Sequence, residues 1–230
     1  MQDQQHNQNR LFDRWPDRYD KWFQTPVGAL VKHYESALLL DLLQPRPGEK
    51  ILDAGCGTGI FTLDFLALGP CTVGLEISRP MLIRARQKAP AYPFEPIAGD
   101  MMYLPFAAEV FDKTVSMTAL EFVADAHGAV RELFRVTKKG GTIVVTTLNS
   151  LSPWAIRRKQ KAEKGHQLFK KMIFRSPDEL RRLAPVDGVV KTAIHFKKDD
   201  NPDSVPEIEK DGQKRELSTG AFLAARWVKP

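Results

Sequence analysis

Residues 51–59 run Ile-Leu-Asp-Ala-Gly-Cys-Gly-Thr-Gly, and Glu76 closes the next strand-like stretch. A loop with glycine at every second position thus follows one carboxylate and precedes another. Glycine lets backbone approach a ligand closely and takes positive φ without strain. A carboxylate at the neighbouring strand end can accept two hydrogen bonds from ribose hydroxyls. These residue types suit a nucleoside-bearing cofactor. Dinucleotide sites want Gly-x-Gly-x-x-Gly. Gly55 and Gly57 fit its first two positions, but Ile60 occupies the third and glycine stands at 59. Asp53 would also repel a pyrophosphate, whereas a cationic amino group or sulfonium would not be repelled. The plain alternative is that Asp53 caps the loop and Glu76 is a solvated strand end.

The elements that must position these residues alternate. Lys50–Ala54 reads as a strand, 59–68 as a helix stopped by Gly69-Pro70, Cys71–Glu76 as a strand and Arg79–Lys88 as a helix. Phe94–Ala98 and 111–117 read as strands, 124–137 as a helix closed by Lys138, Lys139 and Gly140, and 142–148 as a β-branched strand. This βαβ order predicts an α/β, Rossmann-like fold, with a mostly parallel sheet and helices on both faces. The helix near Gly59 would offer free N–H groups to a phosphate or a carboxylate. Upstream, Phe12, Trp15, Tyr19, Trp22 and Phe23 share one helical face, and 28–43 gives a second helix with Leu30, Val31, Tyr34, Ala37, Leu38 and Leu42 on one side. Downstream, 189–196 and 221–228 read as an antiparallel hairpin on the sheet edge, around a polar stretch at 197–216.

Composition sets the bounds. The 230 residues suffice for one large domain with a substantial core, and 43% hydrophobic with 27% charged residues is an ordinary globular balance. No apolar run is long enough to predict a transmembrane helix, and the polar stretch 1–10 reads as a loose tail without a secretory h-region. Two cysteines, Cys56 and Cys71, lack framework or metal-ligand spacing. They predict a reducing, cytoplasmic setting, no structural disulfide and no metal. A net charge of +6 permits an anionic partner without demonstrating one.

At this point the motifs line up with a known family. Asp53-Ala-Gly-Cys-Gly-Thr-Gly59 resembles the signature loop of class I S-adenosylmethionine-dependent methyltransferases. The likeness continues through Gly74-Leu-Glu-Ile-Ser78 with Met81 and Leu82, Gly99-Asp100-Met101, Leu104-Pro105-Phe106, Phe111-Asp112, 120–125, 132–136 and Lys139-Gly140-Gly141. In order and spacing these are similar to the small-molecule branch that includes the ubiquinone/menaquinone-biosynthesis methyltransferases. The resemblance implies a seven-stranded sheet with an antiparallel edge hairpin. It divides the chain into an N-terminal helical lid (11–47), a cofactor-binding core (48–148), a basic substrate cover (149–184) and a closing hairpin (185–230).

It also implies roles. Asp53, Ala54 and the Gly55, Cys56, Gly57 and Gly59 backbone would hold the methionine moiety of S-adenosylmethionine. Glu76 would take the ribose hydroxyls, and Ile77, with Met81, would lie against adenine. Gly99, Asp100 and Met101 would meet the adenine amino group. Met117 and Thr118 would face the donor methyl. The product would be S-adenosylhomocysteine. Met81 and Met101 also fit as ordinary core filling.

The donor is already activated, so positioning and water exclusion carry most of such a reaction. A general base is needed only if the acceptor loses a proton, and Tyr19 and Glu121 are the candidates. His127 reads as a surface or packing residue, while His166 and His195 show no partner in the sequence. Tyr19 and Trp22 could close a lid over the acceptor, or simply dock their helix. Residues 150–175 carry eight basic side chains against Glu163. Arg157, Arg158 and Lys159 would suit an anionic acceptor, a basic face on anionic lipid would suit a quinone-like one, and a solvated helix face is the default reading. A small-molecule methyltransferase leads. Methylation of RNA or protein, a non-catalytic cofactor-binding protein and a nicotinamide dehydrogenase are the alternatives. Nucleic acid is not expected, because no appended RNA module is present and Met117-Thr118-Ala119-Leu120 replaces the Asn-Pro motif of amino-methylating enzymes. Monomer and homodimer both remain open.

Overall fold

A computed structural model describes residues 12–230; the tail expected at 1–10 lies outside them. Two helices open the described residues, α1 (Pro16–Phe23) and α2 (Pro26–Leu43). Each has proline in its first turn, and the Thr25 hydroxyl accepts the Gly28 N–H to cap α2. Then follow β1 (Lys50–Ala54), α3 (Thr62–Leu66), β2 (Cys71–Glu76), α4 (Arg79–Lys88), β3 (Phe94–Ala98), β4 (Phe111–Ser116), a 3-10 turn at Leu120–Phe122, α5 (Ala126–Val136) and β5 (Thr137–Leu148). The chain ends with α6 (Pro153–Glu163), α7 (Gln167–Lys170), α8 (Pro177–Arg181), β6 (Val189–Ala193), a 3-10 turn at Pro202–Ser204, α9 (Val205–Lys214) and β7 (Phe222–Val228).

The seven strands form one sheet in the order β3-β2-β1-β4-β5-β7-β6. The first five are parallel, whereas β7 runs antiparallel to β5 and β6. The strand order reverses between β1 and β4, which places a ligand crevice at their carboxyl ends. Alternate side chains feed the two faces. Leu52, Ile143, Val145, Leu223 and Ala225 pack with α5 and α8 on one side. Ile51, Val144, Phe222 and Ala224 pack with α1, α2 and α3 on the other.

The observed elements depart from the expected ones in four places. Helix α3 starts at Thr62 rather than Gly59, because Gly59 takes φ +73° and the Thr62 hydroxyl is drawn onto Asp53 Oδ2 at 2.6 Å. No helix N-terminus of useful length therefore faces the loop. Strand β5 starts at Thr137, so Lys138, Lys139 and Gly140 belong to a strand and not to a helix end. The polar stretch 197–216 contains α9, whose Glu209 is buried and accepts the Ile194 and His195 N–H groups at 2.8 and 2.7 Å. On α2 the fully buried stripe is Val31, Glu35, Leu39 and Leu42, while Leu30, Tyr34 and Leu38 flank it.

Candidate functional site

The loop after β1 is folded against β2. The Gly55 and Cys56 N–H groups both donate to the Leu75 carbonyl, at 2.7 and 3.1 Å. Gly55 has φ +84°, and a Cβ there would sit 2.5 Å from the Ala119 Cβ, so both conformation and space demand glycine. Glu76 holds the far side. Its carboxylate accepts the Gly57 N–H at 2.9 Å and the Ser78 N–H at 2.8 Å. Burial pushes its pKa up, while those donors pull it down. Asp53 is buried, with Oδ2 on Thr62 and Oδ1 without a partner among the described residues. Burial lifts its pKa to about 7, against the Thr62 hydrogen bond and with help from the Glu76 charge.

Helix α1 is pinned over this loop through Asp20. The Asp20 carboxylate accepts the Thr58 hydroxyl at 2.6 Å, Lys88 Nζ at 2.6 Å and Arg84 Nε at 3.2 Å. The Ser78 hydroxyl also donates to Asp13 at 2.8 Å. Asp20→Ala is expected to cost about 2 kcal/mol, the order for a hydrogen bond to a charged group. Urea unfolding measures the loss, and faster amide exchange in α1 locates it. Exchange unchanged in α1 would show that Asp20 does not hold the lid.

A cavity of about 1050 Å³ opens between the loop and α1. Pockets for small ligands run roughly 300–1,000 Å³, so this one has room for a cofactor-sized molecule. Tyr19, Trp22, Asp53, Gly55, Cys56, Gly57, Glu76, Ile77, Met81, Gly99, Asp100, Met101, Met117, Thr118, Glu121, Arg157 and Arg158 all line it. Two of the expected cofactor-binding residues do not. Ala54 is fully buried in the sheet core, and Gly59 packs its backbone against Ala85 of α4. Cys56 is a free thiol whose pKa burial pushes up, which disfavours a reactive thiolate. Asp100 Oδ1 accepts the Met102 N–H at 2.9 Å.

The cavity wall beside the loop carries polar groups. Thr118 takes φ +44°, a strained conformation for a β-branched residue. Its N–H donates to the Thr146 hydroxyl at 2.9 Å, and that hydroxyl donates to Met117 Sδ at 3.2 Å. Tyr19 is half-buried and lines the cavity. Burial, then the Glu35 charge, raise its pKa, against a side-chain hydrogen bond with Thr118. Glu121 is buried, lies 3.4 Å from the Thr147 hydroxyl, and is lifted by burial to about 7.

The basic segment splits into different environments. Arg157 bonds Asp199 at 2.6 Å near the surface. Arg158 turns inward, over the Trp154 ring at 5.4 Å, with Nη1 buried and unpartnered. Arg175 is buried and donates to the Leu120 and Val123 carbonyls at 2.9 and 3.2 Å. The expected solvated face is thus corrected for Arg158 and Arg175, whereas Lys159 is exposed and does not reach the cavity. His127 is exposed on α5, and His166 caps α7 at the cavity rim.

One residue of this wall escapes any reading of the sequence as motifs. Glu35, buried on α2, lines the same cavity, and burial pushes its pKa to about 8. Its signal was the 31-35-39-42 spacing, which sets it on the apolar stripe of its helix.

These residues fit S-adenosylmethionine. Asp53 Oδ1 is a buried acceptor awaiting a cationic donor, and a Cβ added to Gly57 would meet nothing within 4 Å, so the loop backbone faces open space. No cluster of three or more His, Cys, Asp or Glu side chains capable of holding a metal occurs among the described residues. Among them, too, no helix is long and apolar enough to cross a membrane.

Sheet order and glycine loop together form an α/β, Rossmann-like fold similar to that of S-adenosylmethionine-dependent methyltransferases. Residues 52–145 match the family model described as a methyltransferase domain. The ubiquinone/menaquinone biosynthesis C-methyltransferase UbiE of Cereibacter sphaeroides is 32% identical over 159 residues, 64% of this chain and 63% of that protein. A malonyl-acyl-carrier-protein O-methyltransferase of Erwinia billingiae is 38% identical over 105 residues, 46% of this chain and 41% of that protein. The chain thus spans less than two thirds of the length of these relatives. Among solved structures, a Thermotoga maritima S-adenosylmethionine-dependent methyltransferase, described as a possible histamine N-methyltransferase, superposes with TM-score 0.74 and 26% identity. That match covers 97% of this chain and all of the other.

Proposed function

We propose that this protein transfers a methyl group from S-adenosylmethionine to a small-molecule acceptor. The observation that carries this reading is Asp53 Oδ1, buried and unpartnered beside a glycine loop that Glu76 holds by two hydrogen bonds. When bound, the cofactor would supply an activated methyl group on a sulfonium centre. Asp53 would bind the cationic amino group, and the Gly55–Gly57 backbone would approach the methionine moiety. The free lone pairs of Glu76 would accept the ribose hydroxyls. Ile77 and Met81 would pack adenine, with Asp100 and Met101 at its edge. Met117 and Thr118 would hold the acceptor in line with the methyl, the strained Thr118 backbone fixing that geometry. Tyr19 and Trp22 on α1 would exclude water.

In this reading residues 11–47 act as lid, 48–148 as cofactor core and 149–184 as acceptor cover, while 185–230 complete the sheet. Calorimetric titration of S-adenosylhomocysteine and NADH tests it. S-adenosylhomocysteine is expected to bind and NADH is not. Binding of NADH alone would overturn the proposal.

A further inference from the structure

The acceptor end of the cavity holds two groups that no motif covers. Glu35 of α2 is buried at the wall, and its carboxyl makes no hydrogen bond or ion pair with another of the described residues. Arg158 of α6 brings Nη1 to the same corner, where it too is unpartnered. The two share the lining of the main cavity and of a small adjoining void closed by Val31, Leu148, Trp154, Ile194 and Ala221. A carboxyl group and a guanidinium left unjoined in an enclosed corner are costly unless something bridges them. Aromatic side chains, among them Tyr19, Trp22, Trp154 and Phe169, line the space leading to them.

Resting on the methyltransferase reading, we infer that Glu35 and Arg158 form the acceptor-head subsite: Glu35 takes the proton of an O–H or N–H nucleophile, and Arg158 holds a second oxygen on the neighbouring atom. The acceptor class is therefore a planar molecule with a protic group beside an oxygen. The step balances. A lone pair of the acceptor atom bonds to the methyl carbon, the carbon–sulfur electron pair stays on sulfur as a neutral thioether, and the acceptor's proton passes to the Glu35 carboxylate. The groups facing Glu35 are Tyr19 from α1, Lys32 on its own helix, Glu121 from the 3-10 turn and Arg158 from α6; the sheet side offers only apolar Leu148, Ile194 and Ala221. Burial and Glu121 hold the Glu35 proton on, while Arg158 and Lys32 favour its loss. The base form therefore fills as pH rises through about 8.

Catechol carries both features, whereas 1,2-dimethoxybenzene has the same shape without the protons. Each is titrated by calorimetry at pH 9, where Glu35 has lost its proton, into the full chain saturated with S-adenosylhomocysteine. Catechol is expected to bind at least tenfold tighter. The isosteric variant Glu35→Gln is expected to erase that preference, and Arg158→Met to weaken catechol at least tenfold. With S-adenosylmethionine present, methylated catechol is expected to form at a rate that climbs through pH 8 in the natural sequence and stays flat in Glu35→Gln. No preference for catechol, or a preference that survives Glu35→Gln, overturns the subsite. Failure to bind S-adenosylhomocysteine at all would instead overturn the methyltransferase reading.

Discussion

Replacing Glu76 by alanine is expected to weaken S-adenosylhomocysteine binding by at least about 100-fold. The carboxylate has two duties in this structure. It accepts the Gly57 and Ser78 N–H groups, which shapes the loop before any ligand arrives. Its remaining lone pairs are proposed to meet the ribose. Hydrogen bonds to a charged group contribute about 1.5–3 kcal/mol each, so losing the ribose contact and the loop geometry together gives about 3 kcal/mol or more, a factor above 100. Glu76→Gln keeps the size but turns an NH2 group toward one of two backbone donors, and is expected to lose about tenfold. Calorimetry measures both, with thermal melts confirming that each variant folds. Unchanged affinity in Glu76→Ala would remove this residue from the ribose site.

The parts of the site that were legible in the sequence are contiguous ones. The Asp53–Gly59 loop carries its chemistry within one turn, and the strand before it announces where it must lie. Glu76 could be found because β2 has a strand's length and ends on an acid. Glu35 and Asp20 could not be found that way, since the groups around them come from distant segments. Asp20 meets Thr58, Arg84 and Lys88 only once α1 crosses the loop. Arg158 looks like any other base in a basic helix until Trp154 is buried beneath it. Helix α9 was hidden for a different reason. Its buried face is Val205, Glu209 and Gly212, set within a stretch rich in Asp, Glu, Lys and Pro, and the Glu209 carboxylate ties it to the chain just after β6.

Asp53→Asn is expected to make the apoprotein more stable at pH 8 while weakening cofactor binding by more than about 100-fold. The buried Asp53 carboxyl holds its proton up to about pH 7, against an ordinary value of 3.8. Between those values the folded chain binds a proton that the unfolded chain has released, so stability falls as pH rises through this window and levels off above it. At about 1.4 kcal/mol per pKa unit the loss from this one group reaches up to about 4 kcal/mol. Glu121, also near 7, and Glu35, near 8, add losses of the same sign. The apoprotein is therefore expected to melt at higher temperature at pH 5 than at pH 8. Cofactor binding runs the other way. A cationic amino group needs the ionised carboxylate, so affinity should climb up to tenfold per pH unit below about 7 and flatten above it. Asparagine removes the charge that burial penalises and keeps the Thr62 hydrogen bond within reach, which accounts for the stability gain. It also removes the countercharge for the ligand, which accounts for the lost affinity. Melts across pH 5–9 with and without S-adenosylhomocysteine read both effects in one series. A variant that melts lower than the natural sequence at pH 8 and still binds the ligand normally would show that Asp53 is a structural cap. The opposite movement of stability and affinity is the signature of a carboxylate kept under strain for a cation.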